Sequence, residues 1–182
     1  MAGKLPLAQL SSLRITKHQI PKHGGIPNTS IHNKPLTIYH GVFPSPDLTA
    51  SHIESHLKAV EVCIPQWRYT MFDTTHFHST THELLVIASG HGRLLFGGED
   101  NTGKVEEEVT KGDAILVPAG VGHRRLEVSP DFEMVGSYPA GSAHWDMCYG
   151  RRGETGVEER IRKLGWFEKD PIYDGEGPAL SD

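Results

Sequence analysis

The apolar positions of this 182-residue chain change texture several times. Residues 1–35 are polar and punctuated by Pro21, Gly24, Gly25, Pro27 and Asn28, which predicts an arm with at most short strands, such as 13–18, lying across the surface or a partner subunit. Residues 36–43 (LTIYHGVF) read as a strand stopped by Pro44-Ser45-Pro46-Asp47. Ala50, Ile53, Leu57 and Val60 then recur at helical intervals, so one apolar face is expected over 47–63, with Pro65 ending the helix. From 69 to 138 the pattern becomes seven short apolar or alternating runs: 69–78, 83–88, 93–96, 105–109, 114–117, 123–128 and 132–138. Gly97-Gly98, Asn101-Thr102-Gly103, Lys111-Gly112-Asp113 and Ser129-Pro130-Asp131 supply turns between them. Such runs suit antiparallel strands in a sandwich or jelly roll better than alternating βα units, and the glycine-rich turns are not phosphate loops because no helix follows them. After Gly141 a short helix is expected over 154–164 on Val157, Ile161 and Leu164, followed by an irregular tail that Trp166, Phe167, Ile172 and Tyr173 could dock. The expected organisation is all-β: an arm (1–35), one barrel with its preceding helix (36–140), and a C-terminal helix and tail packed on it (141–182).

Composition narrows the function. A net charge of −5 with no long Lys/Arg run makes nucleic acid an unexpected partner. No apolar run approaches the roughly 20 residues of a membrane span. Only Cys63 and Cys148 are present and no secretory signal is visible, so the expectation is a soluble protein in the reducing cytoplasm. The unusual count is 12 histidines, whose meaning depends on position.

Residues 76–83 read HFHSTTHE. In extended backbone His76 and His78 project to one side and Phe77 to the other, so both imidazoles can reach one point. Ser79-Thr80-Thr81 reads as a turn, after which Glu83 opens a strand able to fold back beside them. Residues 112–123 (GDAILVPAGVGH) form a buried strand and a Pro-Ala-Gly turn that delivers His123. Three imidazoles and a carboxylate are a mixed N/O set suited to one divalent transition metal per chain: iron, manganese, nickel, copper, cobalt or zinc.

These stretches resemble the two motifs of the cupin superfamily. His76, His78, Glu83 and Gly90 match G(X)5HXH(X)3-4E(X)6G, with Thr70 in place of the leading glycine. Gly112, Pro118, Gly120 and His123 match G(X)5PXG(X)2H(X)3N, with Glu127 in place of the terminal asparagine. Within the superfamily the chain is similar to the YjlB-type proteins through Gly25-Ile26-Pro27-Asn28, Pro65-Gln66-Trp67-Arg68, HSTTHE and Asp170-Pro171-Ile172-Tyr173. The resemblance implies a single cupin jelly-roll barrel whose metal ligands are His76, His78, Glu83 and His123.

Around that set, His82 reads as a hydrogen-bond donor behind the ligands, a substitute ligand or an exposed turn residue, and alternation prevents it from binding in the same manner as Glu83. By parity Arg125 points inward with His123, either to hold a substrate carboxylate or enolate or to pair with an acid such as Glu127. Arg68 and Tyr138, with Trp67 and Tyr69, are candidates for the pocket mouth. The expected function is a metalloenzyme acting on a small oxygenated or carbonyl-bearing molecule, as a dioxygenase or as an isomerase or lyase working through a metal-bound enolate, with Glu83 able to serve as the catalytic base. The alternative is a non-catalytic, metal-dependent cupin that binds or senses a small molecule. A homodimer, clasped through the arm, is expected.

Overall fold

The computed structural model describes residues 3–181. Nine strands form two sheets. In chain order they are β1 (Arg14–His18), β2 (Leu36–His40), β3 (Cys63–Tyr69), β4 (Glu83–Ser89), β5 (His91–Phe96), β6 (Val105–Thr110), β7 (Ala114–Val117), β8 (His123–Val128) and β9 (Glu133–Pro139), with helices α1 (Ala50–Val60) and α2 (Val157–Arg162). One sheet runs β1-β2-β7-β4-β9-β3 and the other β6-β5-β8, with every pairing antiparallel. This is the expected all-β jelly roll. No helix among the described residues is long and apolar enough to cross a membrane.

The central strands of the larger sheet are buried on both faces, which is why they read as nearly continuous apolar runs. Period two divides each strand between two cores. Leu84, Val86 and Ala88 of β4 and Ala114 and Leu116 of β7 join a cluster with Ile53 and Leu57 of α1 and Ile172 of the tail. Leu85, Ile87, Ile115 and Val117 face the other way, into the barrel interior with Leu94 and Phe96 of the second sheet. Asp170 locks the tail down: its fully buried carboxylate accepts from Tyr39 Oη at 2.9 Å and from the amides of Ile172, Tyr173 and Ala179.

One expectation in the arm is met, and two further along the chain are corrected. The short strand expected in the arm forms as β1, which pairs with β2 of the same chain from Arg14↔His40 to His18↔Leu36. Asn28 is also buried, with its side chain bonded to Pro21 O, Gly97 O and Gly122 N. Next, α1 ends before Pro65: Glu61 adopts the left-handed conformation (φ 63°) and returns its N–H to Leu57 O at 3.0 Å. Pro65 instead lies in the edge strand β3 beside a register shift, where a missing N–H is tolerated. Finally, 69–78 is not one strand. Residues beyond Tyr69 cross from β3 to β8, held by isolated bridges of His76 to His123 and Phe77 to Cys148.

Candidate metal centre

Two short backbone pairings place the HXH segment. His76 and His123 exchange backbone hydrogen bonds at 3.2 and 2.9 Å, so the first motif is tied directly to the end of the second. Phe77 is fully buried against Ala119, Val157 and Ile161, which puts α2 behind the segment and sends His76 and His78 forward into the barrel. Gly120, with φ +93°, makes the turn that an L side chain would strain, and its N–H bonds His78 O at 2.9 Å.

The three imidazoles present one potential ligand atom each within 4.8 Å of one another, and all three are buried. Their orientation is set from behind. Nδ1 of His76 bonds Thr74 O at 2.9 Å, Nδ1 of His78 bonds Asp146 O at 2.5 Å, and Nδ1 of His123 bonds Val121 O at 2.9 Å. A carbonyl oxygen only accepts, so each Nδ1 carries the hydrogen and each neutral ring is left with its Nε2 lone pair facing the centre. Glu83 closes the ring on one side, with Oε1 3.4 Å from His78 Nε2 and Oε2 3.3 Å from His123 Nε2.

Tyr138 donates to Glu83 Oε1 at 2.8 Å while accepting from Trp67 Nε1 at 2.9 Å. Because indole is only a donor, the direction of this chain is fixed: Trp67 to Tyr138 to Glu83. The indole fits only because residue 136 is glycine, since a Cβ there would lie 2.0 Å from the Trp67 ring. We expect Gly136→Ala to lower stability by about 2 kcal/mol. Thermal unfolding should read this as a fall of roughly 4–8 °C.

The electrostatics describe acceptors in search of a cation. Burial, reinforced by His123, lowers the His76 pKa to about 3. Burial would raise the Glu83 carboxyl, but the facing imidazoles of His78 and His123 outweigh it and hold the group well below the usual carboxylate range. Burial likewise opposes a proton on His78, yet the Glu83 carboxylate wins and raises its pKa. Glu83 Oε2 is buried without a hydrogen-bond partner. That partnerless Oε2 is an acceptor a positive ion would satisfy, and three imidazoles with one carboxylate form a donor set that fits a divalent transition metal.

The remaining candidates separate. Tyr138 meets Glu83 as described. His82 is turned away: as the neighbour of Glu83 it shares the face of Leu84, where its Nδ1 accepts from Ala119 N and its Nε2 donates to Gly165 O, both at 2.9 Å. Burial lowers its pKa to about 4, and it packs on Trp166 as a neutral structural ring, which removes it from the ligand shell. Arg125 is not among the residues that line the cavity, although the β5–β8 pairing stays in register from His123 to Arg125 and shifts only past it; its backbone N–H bonds Phe72 O at 2.9 Å. Arg68 lines the mouth, but its guanidinium is forked onto Glu54 at 2.6 and 2.9 Å and also bonds Ser51.

Sequence reasoning missed the loop after Gly141. Asp146 there holds His78 through its carbonyl and the following turn through its carboxylate, which accepts from Ser79 N at 2.6 Å and Ser79 Oγ at 2.5 Å. Trp145 and Met147 beside it line the cavity. This stretch has no periodicity, and its only signal is the dense run Trp145-Asp146-Met147-Cys148.

Residues 70–130 match the cupin-domain family profile. The chain is 32% identical over 161 residues to "Uncharacterized protein YjlB" of Bacillus subtilis (strain 168), covering 88% of this chain and 91% of that protein. It is 30% identical over 95 residues to acireductone dioxygenase of Drosophila melanogaster, where the match spans half of each protein. Among solved structures, BH2720 of Bacillus halodurans aligns at a TM-score of 0.33 with 20% identity, covering 60% of this chain and 91% of that one. On its motifs, its two-sheet fold and the match to YjlB over most of both chains, the chain belongs to the cupin superfamily as a YjlB-type member.

Proposed function

We propose that His76, His78, Glu83 and His123 hold a divalent transition metal and that the protein is a metalloenzyme acting on a small oxygenated or carbonyl-bearing molecule. One observation carries this reading: the three grouped imidazoles and the partnerless Glu83 Oε2 lie at the wall of a cavity of about 300 Å³ instead of being closed over by protein. Structural metal sites are closed by their ligands, whereas catalytic ones keep a place for water or substrate.

A bound ion of this kind supplies Lewis-acid polarisation of a ligand oxygen or, if redox-active, activation of dioxygen. The protein's own groups do the rest. The carbonyls of Thr74, Asp146 and Val121 fix the imidazoles, and Tyr138 holds Oε1 of Glu83, leaving Oε2 as the atom free to ligate or to accept a proton from a bound molecule. The partial likeness to a protein named acireductone dioxygenase supports oxidative chemistry over isomerisation or elimination. The test is elemental analysis of protein purified without added metal. About one iron, manganese, nickel, copper, cobalt or zinc per chain is expected. No metal, even after anaerobic incubation with each ion, would refute the proposal.

A further inference from the structure

Resting on that metal-centre reading, we propose that the cavity takes a molecule with a pair of ligating oxygens at one end, a single aryl or alkyl tail, and no second anionic group. α-Hydroxyketones, dicarbonyls and enediols with such a tail belong to this class. Sugars, phosphorylated metabolites and dicarboxylates do not.

The cavity is divided by polarity. Ligating groups gather at one place, and four protein donors leave a six-coordinate ion two positions, which is the reason for an oxygen pair. Away from the cluster the buried wall is Met71, Leu85 and Met134, flanked by Trp145 and Met147. Three of the four methionines in the chain line this one space. Thioethers and aromatic rings fit apolar groups adaptably and offer little to hydroxyls.

The polar groups on the wall are mostly committed. Trp67 N–H is given to Tyr138, and Tyr138 O–H to Glu83. Thr70 Oγ1 is a buried hydroxyl without a partner, enough for one further hydrogen bond but not for a polyol. Arg68, the one Lys or Arg among the lining residues, is forked onto Glu54. An anionic tail would therefore lose its hydration with no cation to receive it, beside a carboxylate already buried at Glu83.

The rim indicates where the tail goes. Tyr69 and Phe72 are 54% and 48% exposed, their rings are 5.8 Å apart, and Phe72 stands edge-on to His76 at 5.4 Å. Two large exposed aromatics next to the ligand cluster are apolar surface that a bound tail would cover.

The test loads the full chain with cobalt(II), verifies the content by elemental analysis, and titrates three hydroxamates by calorimetry. Acetohydroxamate has a methyl tail, benzohydroxamate an aryl tail, and succinic monohydroxamate an anionic tail. Benzohydroxamate is expected to bind about tenfold or more tighter than acetohydroxamate, from the apolar area it buries. Succinic monohydroxamate should bind more weakly than acetohydroxamate, and Phe72→Ser should shrink the aryl preference. Equal affinities, or a preference for the anionic tail, overturn this inference while the metal reading stands. If cobalt does not load, the titration uses whichever of the other ions does, and if none loads the metal reading falls and takes this one with it.

Discussion

Replacing His123 by alanine is expected to weaken metal binding by roughly 100-fold or more while leaving the fold in place. Changes to groups that merely orient a metal ligand already cost 10–100-fold. His123 is placed one step closer: its Nε2 faces the centre 3.3 Å from Glu83 Oε2. The backbone bonds that join it to His76 survive truncation, so the strand end keeps its position. His82→Ala should behave in the opposite way. That change deprives Ala119 N and Gly165 O of their partners and opens a space against Trp166, at a cost of about 2 kcal/mol in stability, yet metal affinity should stay within a few-fold of the parent. Chelator competition and thermal unfolding on both variants read the two axes separately. Metal loss from the His82 variant at temperatures where it remains folded would show that the assignment of the two residues is wrong.

Those two histidines also show how much could be read from the sequence. Alternation within extended backbone placed His76 and His78 together, put Phe77 behind them and separated His82 from Glu83, because period two holds wherever the chain is extended, even across isolated bridges. The buried strands were legible as apolar runs for the same reason. Parity put Arg125 on the side of His123, and the β5–β8 register is continuous between them, but parity does not say how far along a strand a cavity extends, and Arg125 lies outside its lining. The arm's strand was legible as a short run at 13–18, but its partner β2 was not, because that contact is distant in sequence. Asp146 was invisible because its role lies in a backbone carbonyl and in a turn 67 residues away, and neither leaves a periodic trace. What could be read was local geometry, and what could not was contact between segments far apart in the chain.

Acid is expected to release the metal. Binding needs the Nε2 lone pair of His78, and the raised pKa of this ring means that in the metal-free protein a proton occupies that position at and somewhat above the ordinary histidine range. Below the raised pKa, metal must displace that proton, so affinity falls by up to tenfold per pH unit; above it, affinity levels off. His76, lowered to about 3, adds no proton in this window, and Glu83 stays ionised through it. Between pH 7.5 and 5.5 the dissociation constant should therefore rise by about 10- to 100-fold, as measured against a chelator of known pH dependence. Linkage gives the opposite sign for the stability of the metal-free fold. The contribution of the raised His78 pKa to the metal-free fold is fully present below the unfolded value and is lost as pH climbs through the folded one. Proton and metal thus stabilise the same cavity in alternation, so the rise in Tm on adding metal should be largest at pH 7.5 and shrink toward pH 5.5. A metal-induced shift that stayed constant across this range would mean that the ion binds somewhere other than on His78.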